Sequence, residues 1–192
     1  MSVRAVLVAL LATVAALVAV APAKAADPLP VTGVDTRLAL DPGAAAALTS
    51  LGVQVRPSTS ATVDEAGRIV FPVTGGELTP ELQGRVTHSG GLFLRKGRFG
   101  LPINVQRFTI DLTGGVPKLN AELRYVGLRF DLATLTNISV APGEGGATVV
   151  TADVELTGFA ASVLNLAFQT KALGAGFKLG TATATVTLGA AS

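Results

Sequence analysis

From residue 35 onward the chain runs as short stretches in which apolar and polar residues alternate, cut by turns rich in glycine and proline. Alternation with a period of two places every second side chain on one face, the pattern of half-buried strands. Thr36, Leu38 and Leu40 alternate with Asp35, Arg37 and Ala39 and predict a first strand. Asp41-Pro42 then reads as the N-cap and first residue of a helix carried by Ala44 to Leu48, with Leu51 on the same stripe and Gly52 as its stop. Residues 53–55 return to strand, which Arg56-Pro57 is expected to end. The turn at 64–67 opens a strand over 68–73. Pro72 offers no backbone donor, so that strand is expected at an edge or a bulge.

Further strands follow at 84–88 and 92–96, and a turn at 97–100 leads into 101–112. The alternation slips between Val105 and Phe108, which predicts a bulge. Residues 119–135 alternate with a slip near Gly127, 147–156 form the next strand, and 181–188 the last. A shift of the sequence by 116 aligns 38–48 with 154–164. Both pieces read as strand, capping residue (Asp41 or Thr157) and short Ala/Leu helix. They predict two pseudo-symmetric helices closing the two ends of the sheet. The fold class is all-β, an antiparallel sandwich or barrel with two short helices.

The first 25 residues stand apart. Arg4 precedes an unbroken run of small and branched apolar residues from Ala5 to Val20, then Ala21-Pro22-Ala23-Lys24-Ala25. This is the pattern of a signal peptide cut after Ala25. An extended lead-in at 26–34 and a single β-rich domain at 35–192 complete the expected organisation. Export and cleavage leave a secreted, extracytoplasmic chain that is not an integral membrane protein.

Composition narrows the chemistry. The chain has no cysteine and one histidine, which excludes disulfides, thiol catalysis, Cys-ligated metals and multi-histidine sites. Without Arg4 and Lys24 the basic and acidic residues balance, and no nucleic-acid partner is expected. The balance is uneven along the chain. Residues 85–129 hold eight basic groups (Arg85, Arg95, Lys96, Arg98, Arg107, Lys118, Arg124, Arg129) against Asp111 and Glu122. Such a cluster suits an anionic ligand or surface.

No catalytic constellation stands out. Ser89 follows His88 directly, and adjacent strand residues point to opposite faces, so the two do not form a nucleophile and base. The Gly-Gly pairs at 75–76, 90–91 and 114–115 read as turns, not as phosphate loops. The expectation is a non-enzymatic protein.

One resemblance adds to this. The order of Phe71-Pro72-Val73-Thr74-Gly75-Gly76, Gly84-Arg85-Val86-Thr87-His88-Ser89-Gly90-Gly91-Leu92, a strand over 105–112 and Leu119-Asn120-Ala121-Glu122-Leu123 resembles the haem-transport-associated (HtaA) domain of actinobacterial envelope proteins. Leu164-Asn165 in the second helix and Ala175-Gly176-Phe177-Lys178-Leu179-Gly180-Thr181 extend the likeness. The resemblance implies haem binding, with a tyrosine as iron ligand and a supporting histidine. His88 matches the histidine. The family's tyrosine, near the start of the domain, has no counterpart: residues 26–87 contain none, and Tyr125 is the only tyrosine.

Two functions follow as expectations. One is a cell-envelope protein binding haem or another small amphipathic anionic ligand through His88, Tyr125, Arg85, Arg95, Lys96 and Arg98. The other is a structural or adhesive protein whose basic face meets an envelope polymer or protein. An apolar cavity flanked by His88, Tyr125 and two arginines favours the first, a solid core with a flat basic face the second.

Overall fold

The computed structural model describes residues 27–189, and the expected signal peptide lies outside the described residues. In chain order the elements are β1 (Leu29–Leu40), α1 (Pro42–Ser50), β2 (Val53–Ser58), β3 (Thr62–Val63), β4 (Ile69–Leu78), β5 (Gly84–His88), β6 (Gly91–Lys96), β7 (Ile103–Asp111), β8 (Lys118–Leu123), β9 (Leu128–Pro142), β10 (Thr148–Leu156), α2 (Gly158–Phe168) and β11 (Lys178–Leu188). Most of the lead-in is thus part of β1, hydrogen-bonded to both β4 and β11.

The strands form an eight-stranded antiparallel barrel in the order β7-β5-β4-β1-β11-β10-β9-β8, closed by pairing of β8 with β7. Closure removes the exposed edges that an open sheet would present. One side of β7 is shared between two partners. Residues 103–106 pair with β6 and residues 109–111 with β5. The changeover lies at the bulge expected from the slip in alternation, where Arg107 takes a positive φ of 52°. β2 pairs with the outer side of β6 as a flap, and β3 pairs with β4.

Pro72 is not at an edge. β4 lies between β1 and β5, and Pro72 sits where one side of β4 changes partner from β3 to β5, beside a register shift. No ladder bond is needed from its nitrogen there, so the proline is tolerated inside the barrel. Arg56-Pro57 does not end β2 either, because β2 is the edge of its flap and Pro57 pairs opposite Leu92. The slip near Gly127 is a hairpin turn that separates β8 from β9.

Both helices form as the sequence predicts. The Asp41 carboxylate accepts from the backbone N–H groups of Gly43 and Ala44, and the Thr157 hydroxyl accepts from that of Ala160. Their placement differs from expectation. β1 and β10 are both antiparallel to β11 between them, so they point the same way. α1 and α2 therefore close one end of the barrel, not two. The turns β6–β7 and β8–β9 lie at that end, and the turns β4–β5, β7–β8 and β9–β10 at the other.

The core is continuous from the barrel into α2, joining Phe71, Phe108, Leu132, Val154, Leu164 and Phe168. Phe71 and Phe108 meet edge to face, with ring centroids 5.0 Å apart. Two apolar cavities remain inside, of about 80 and 60 Å³.

Candidate functional site

His88, at the end of β5, is buried inside the barrel. Its Nε2 lies 2.7 Å from the Thr36 hydroxyl on β1, and its Nδ1 lies 3.4 Å from the carbonyl oxygen of Phe108. A carbonyl only accepts, so Nδ1 carries the proton and the Thr36 hydroxyl donates to Nε2. Burial pushes the imidazole down to about 4, against weaker support from the backbone carbonyls. His88 is a neutral structural group with both nitrogens engaged.

This gives a signed pH dependence. The unfolded chain binds the proton at about 6.5 and the folded one only at about 4. Stability from the neutral ring is present above 6.5 and is lost as the pH falls toward 4. The loss is expected to reach about 3 kcal/mol. Urea unfolding across that range checks it, and His88→Gln is expected to flatten the slope between 6.5 and 5.

The residues do not assemble the haem site that the resemblance implies. The partner facing His88 is a threonine, and the adjoining cavity of about 80 Å³ is far below the several hundred Å³ typical of a ligand pocket. Tyr125 is in the exposed β8–β9 turn, outside the barrel. Arg85 is at the opposite end from both helices, its Nε 2.8 Å from Asp111 Oδ2. Hydrogen bonds from Thr113, with Arg85 adding to them, hold the Asp111 carboxyl down at about 2.

The remaining sequence-derived residues gather near the helical end. Lys96 Nζ donates to the Phe168 carbonyl at 2.7 Å, a cation on the C-terminus of α2. Arg95 places its guanidinium 5.9 Å from the Phe93 ring, and Arg98 its own 5.8 Å from the Phe99 ring.

A groove of about 670 Å³ opens at this end, walled by Leu101, Tyr125, Val126, Val163 and Leu166 with Arg124 among them. Its apolar walls are solvent-exposed: Leu101 72%, Tyr125 73%, Val126 72% and Leu166 83%. This is the site that the sequence reading missed. Its signal was present in α2. Ala160, Ala161, Leu164 and Phe168 form the buried face, while Phe159, Val163 and Leu166 recur at helical spacing on another. A helix apolar on more than one face has more to cover than its own core.

Among the described residues no group of three or more His, Asp or Glu side chains could hold a metal ion. No helix among them is long and apolar enough to cross a membrane.

No protein-family model matches the chain, and no curated protein matches it in sequence. Solved structures do match. The C-terminal domain of HtaA from Corynebacterium glutamicum superposes with a TM-score of 0.63 at 18% identity, over 84% of this chain and 99% of that one. A domain-swapped dimer variant of the same domain gives 0.54 at 16% identity, over 79% and 96%. The haem-binding protein HtaB of the same organism gives 0.49 at 15%, over 84% and 96%. The chain has the fold of the HtaA C-terminal domain.

Proposed function

We propose that the protein is a secreted, non-enzymatic binding domain of the cell envelope, and that its helical end, not the barrel interior, holds an amphipathic anionic ligand. The observation that carries this is the exposed apolar wall of the helical-end groove, since an outer hollow of about 660 Å³ at the opposite end is lined largely by polar residues, among them Glu77, Thr79, Gln83, Arg85 and Thr113. The interior cavities are about 80 and 60 Å³, while the outer groove is about 670 Å³, within the usual range for ligand sites. The groove is walled by exposed apolar side chains, and Arg124 lines it. Arg98 lies in the same turn as Leu101. Apolar walls suit a flat hydrophobic body, and the guanidinium groups suit carboxylates at its edge.

Haem belongs to that ligand class. In this groove Tyr125 is the residue that would hold its iron, since a tyrosine phenolate is an established ferric ligand. The second reading, an adhesive envelope protein, needs a flat basic face, and the pairing of Arg85, Arg107 and Lys118 with separate carboxylates speaks against it. The exposed groove favours a defined amphipathic partner.

The test is a titration of residues 26–192 with hemin, followed in the Soret band. Binding that Leu166→Asp and Arg124→Glu weaken by about tenfold or more supports the groove. Tyr125→Phe is expected to remove the iron contact, and His88→Ala to leave it. A response lost only in His88→Ala would move the ligand into the barrel. If hemin gives no response, the same variants are titrated with anilinonaphthalene sulfonate, an apolar anion without iron.

A further inference from the structure

We infer that the helical end of the barrel docks on the surface of an anionic lipid bilayer, with the outer face of α2 lying in the interface. The inference rests on the reading of this end as the binding end, and names its partner.

The apolar patch is wider than the groove. Phe99 is 94% exposed at the tip of the β6–β7 turn, and Phe159 is 54% exposed on the first turn of α2. Neither belongs to the groove wall. A small molecule seated in the groove leaves Phe99 in water, and leaves uncovered the part of Phe159 that its edge-to-face contact with Phe130, 5.7 Å between ring centroids, does not shield. A flat apolar phase covers them together with Leu101, Val126 and Leu166. Phe159, Val163 and Leu166 recur at i, i+4 and i+7, the spacing of one helical stripe. α2 carries no charge of its own, so the basic groups that an interfacial helix holds on its polar face come here from the neighbouring turns, as Arg98, Arg124 and Lys171.

The charge around the patch is one-signed. Arg98, Arg124 and Lys171 make no ion pair among the described residues, and Arg124 lies in the groove wall itself. Lys171 borders the same end of α2, beside Leu166 and Gln169. Of the acidic groups without an ion pair, Glu77, Glu81 and Glu144 lie toward the opposite end, Glu65 is at the helical end in the β3–β4 turn but across the barrel from β9 and β10, and Glu155, near the end of β10, accepts from the Thr136 hydroxyl. Asp41 caps α1. Asp41, Glu65 and Glu155 share this end of the barrel but none lines the groove, whose one charged residue among those described is Arg124, so the apolar wall meets an anionic surface with a basic group among its residues. A second copy of the chain would be a poor occupant, because the two patches would bring their arginines together. The long side chains suit the site, since arginine and lysine keep their charge at headgroup level while their stems lie along apolar surface. Tyr125 adds an aromatic ring with a polar tip, the kind of residue enriched at that depth.

The chain has no tryptophan, so one can be added as a sole reporter. Every element of the barrel lies within 27–189, so residues 26–192 serve as the test protein without the apolar leader. Leu166→Trp is mixed with vesicles of phosphatidylglycerol and phosphatidylcholine, and with vesicles of phosphatidylcholine alone. The expected result is a blue shift of emission with the anionic vesicles only, reversed by high salt. In sedimentation with the same vesicles, Phe99→Asp/Leu166→Asp and Arg98→Glu/Arg124→Glu are each expected to lose about tenfold or more in binding. Unchanged melting temperatures confirm that these surface variants fold. No shift and no sedimentation with anionic vesicles, or equal binding by all variants, overturns the inference. If that failure is accompanied by intact binding of hemin or anilinonaphthalene sulfonate at the groove, the reading of the helical end stands and only the bilayer is removed.

Discussion

Phe168→Ala is expected to lower stability by about 4 kcal/mol. For a domain of this size the melting temperature should fall by about 12 °C. Phe168 closes α2 and has no exposed surface. Removing the ring leaves a cavity where α2 meets the barrel, so the transfer and cavity penalties add. The backbone raises the cost of collapse around that cavity. The Phe168 carbonyl receives the Lys96 ammonium, and Gln169 caps the helix in a left-handed conformation. Leu166→Ala on the same helix is the control, expected to stay within about 0.5 kcal/mol because its side chain is in water. Urea unfolding of the two variants measures the difference. A loss below about 1 kcal/mol for Phe168→Ala would mean that α2 is not part of the cooperative core.

Gly76→Ala is the second large effect, expected at about 3 kcal/mol or more. Gly76 lies opposite Val86 in the β4–β5 pair with φ of 137°, a region nearly reserved for glycine. A Cβ built there would lie 2.1 Å from the Arg85 carbonyl oxygen and 2.9 Å from the Val86 Cα. Both obstacles are backbone, so relief requires β4 and β5 to separate. β5 completes the barrel between β4 and β7, and its displacement would free His88 from Thr36 as well. Gly67→Ala isolates the conformational part. Its φ is 75° but an added Cβ meets nothing within 4 Å, so a cost of about 1 kcal/mol is expected. Equal losses in the two variants would show that the close approach at Gly76 relaxes freely.

Local chemistry made many of the elements readable. Asp41-Pro42 and Thr157-Gly158 mark both helix starts because a short polar side chain satisfies backbone donors within a few residues of itself. The bulge between Val105 and Phe108 showed as a break in the period of two. Pro72, read as marking an edge or a bulge, stands beside a register shift in β4 and not at an edge. A proline reports that its own nitrogen donates nothing, while the partner change from β3 to β5 that makes this harmless is a long-range fact. The basic cluster at 85–129 was real in sequence and divided in space. Arg85 pairs with Asp111 at one end, Lys118 with Asp131 and Arg107 with Glu122 along the wall, and Arg98 and Arg124 flank the groove at the other end.

The sequence by itself determined the all-β class, the two capped helices and the turns, because each follows from side-chain periodicity or from hydrogen bonds between near neighbours. The tertiary structure alone decided that both helices close one end of a barrel, that His88 spends its imidazole on a threonine 52 residues away, and that Tyr125 stands outside. Those outcomes depend on which strands pair around the ring and in what register. Pairing is chosen by burial of the whole apolar face at once, a quantity that no short window of residues contains.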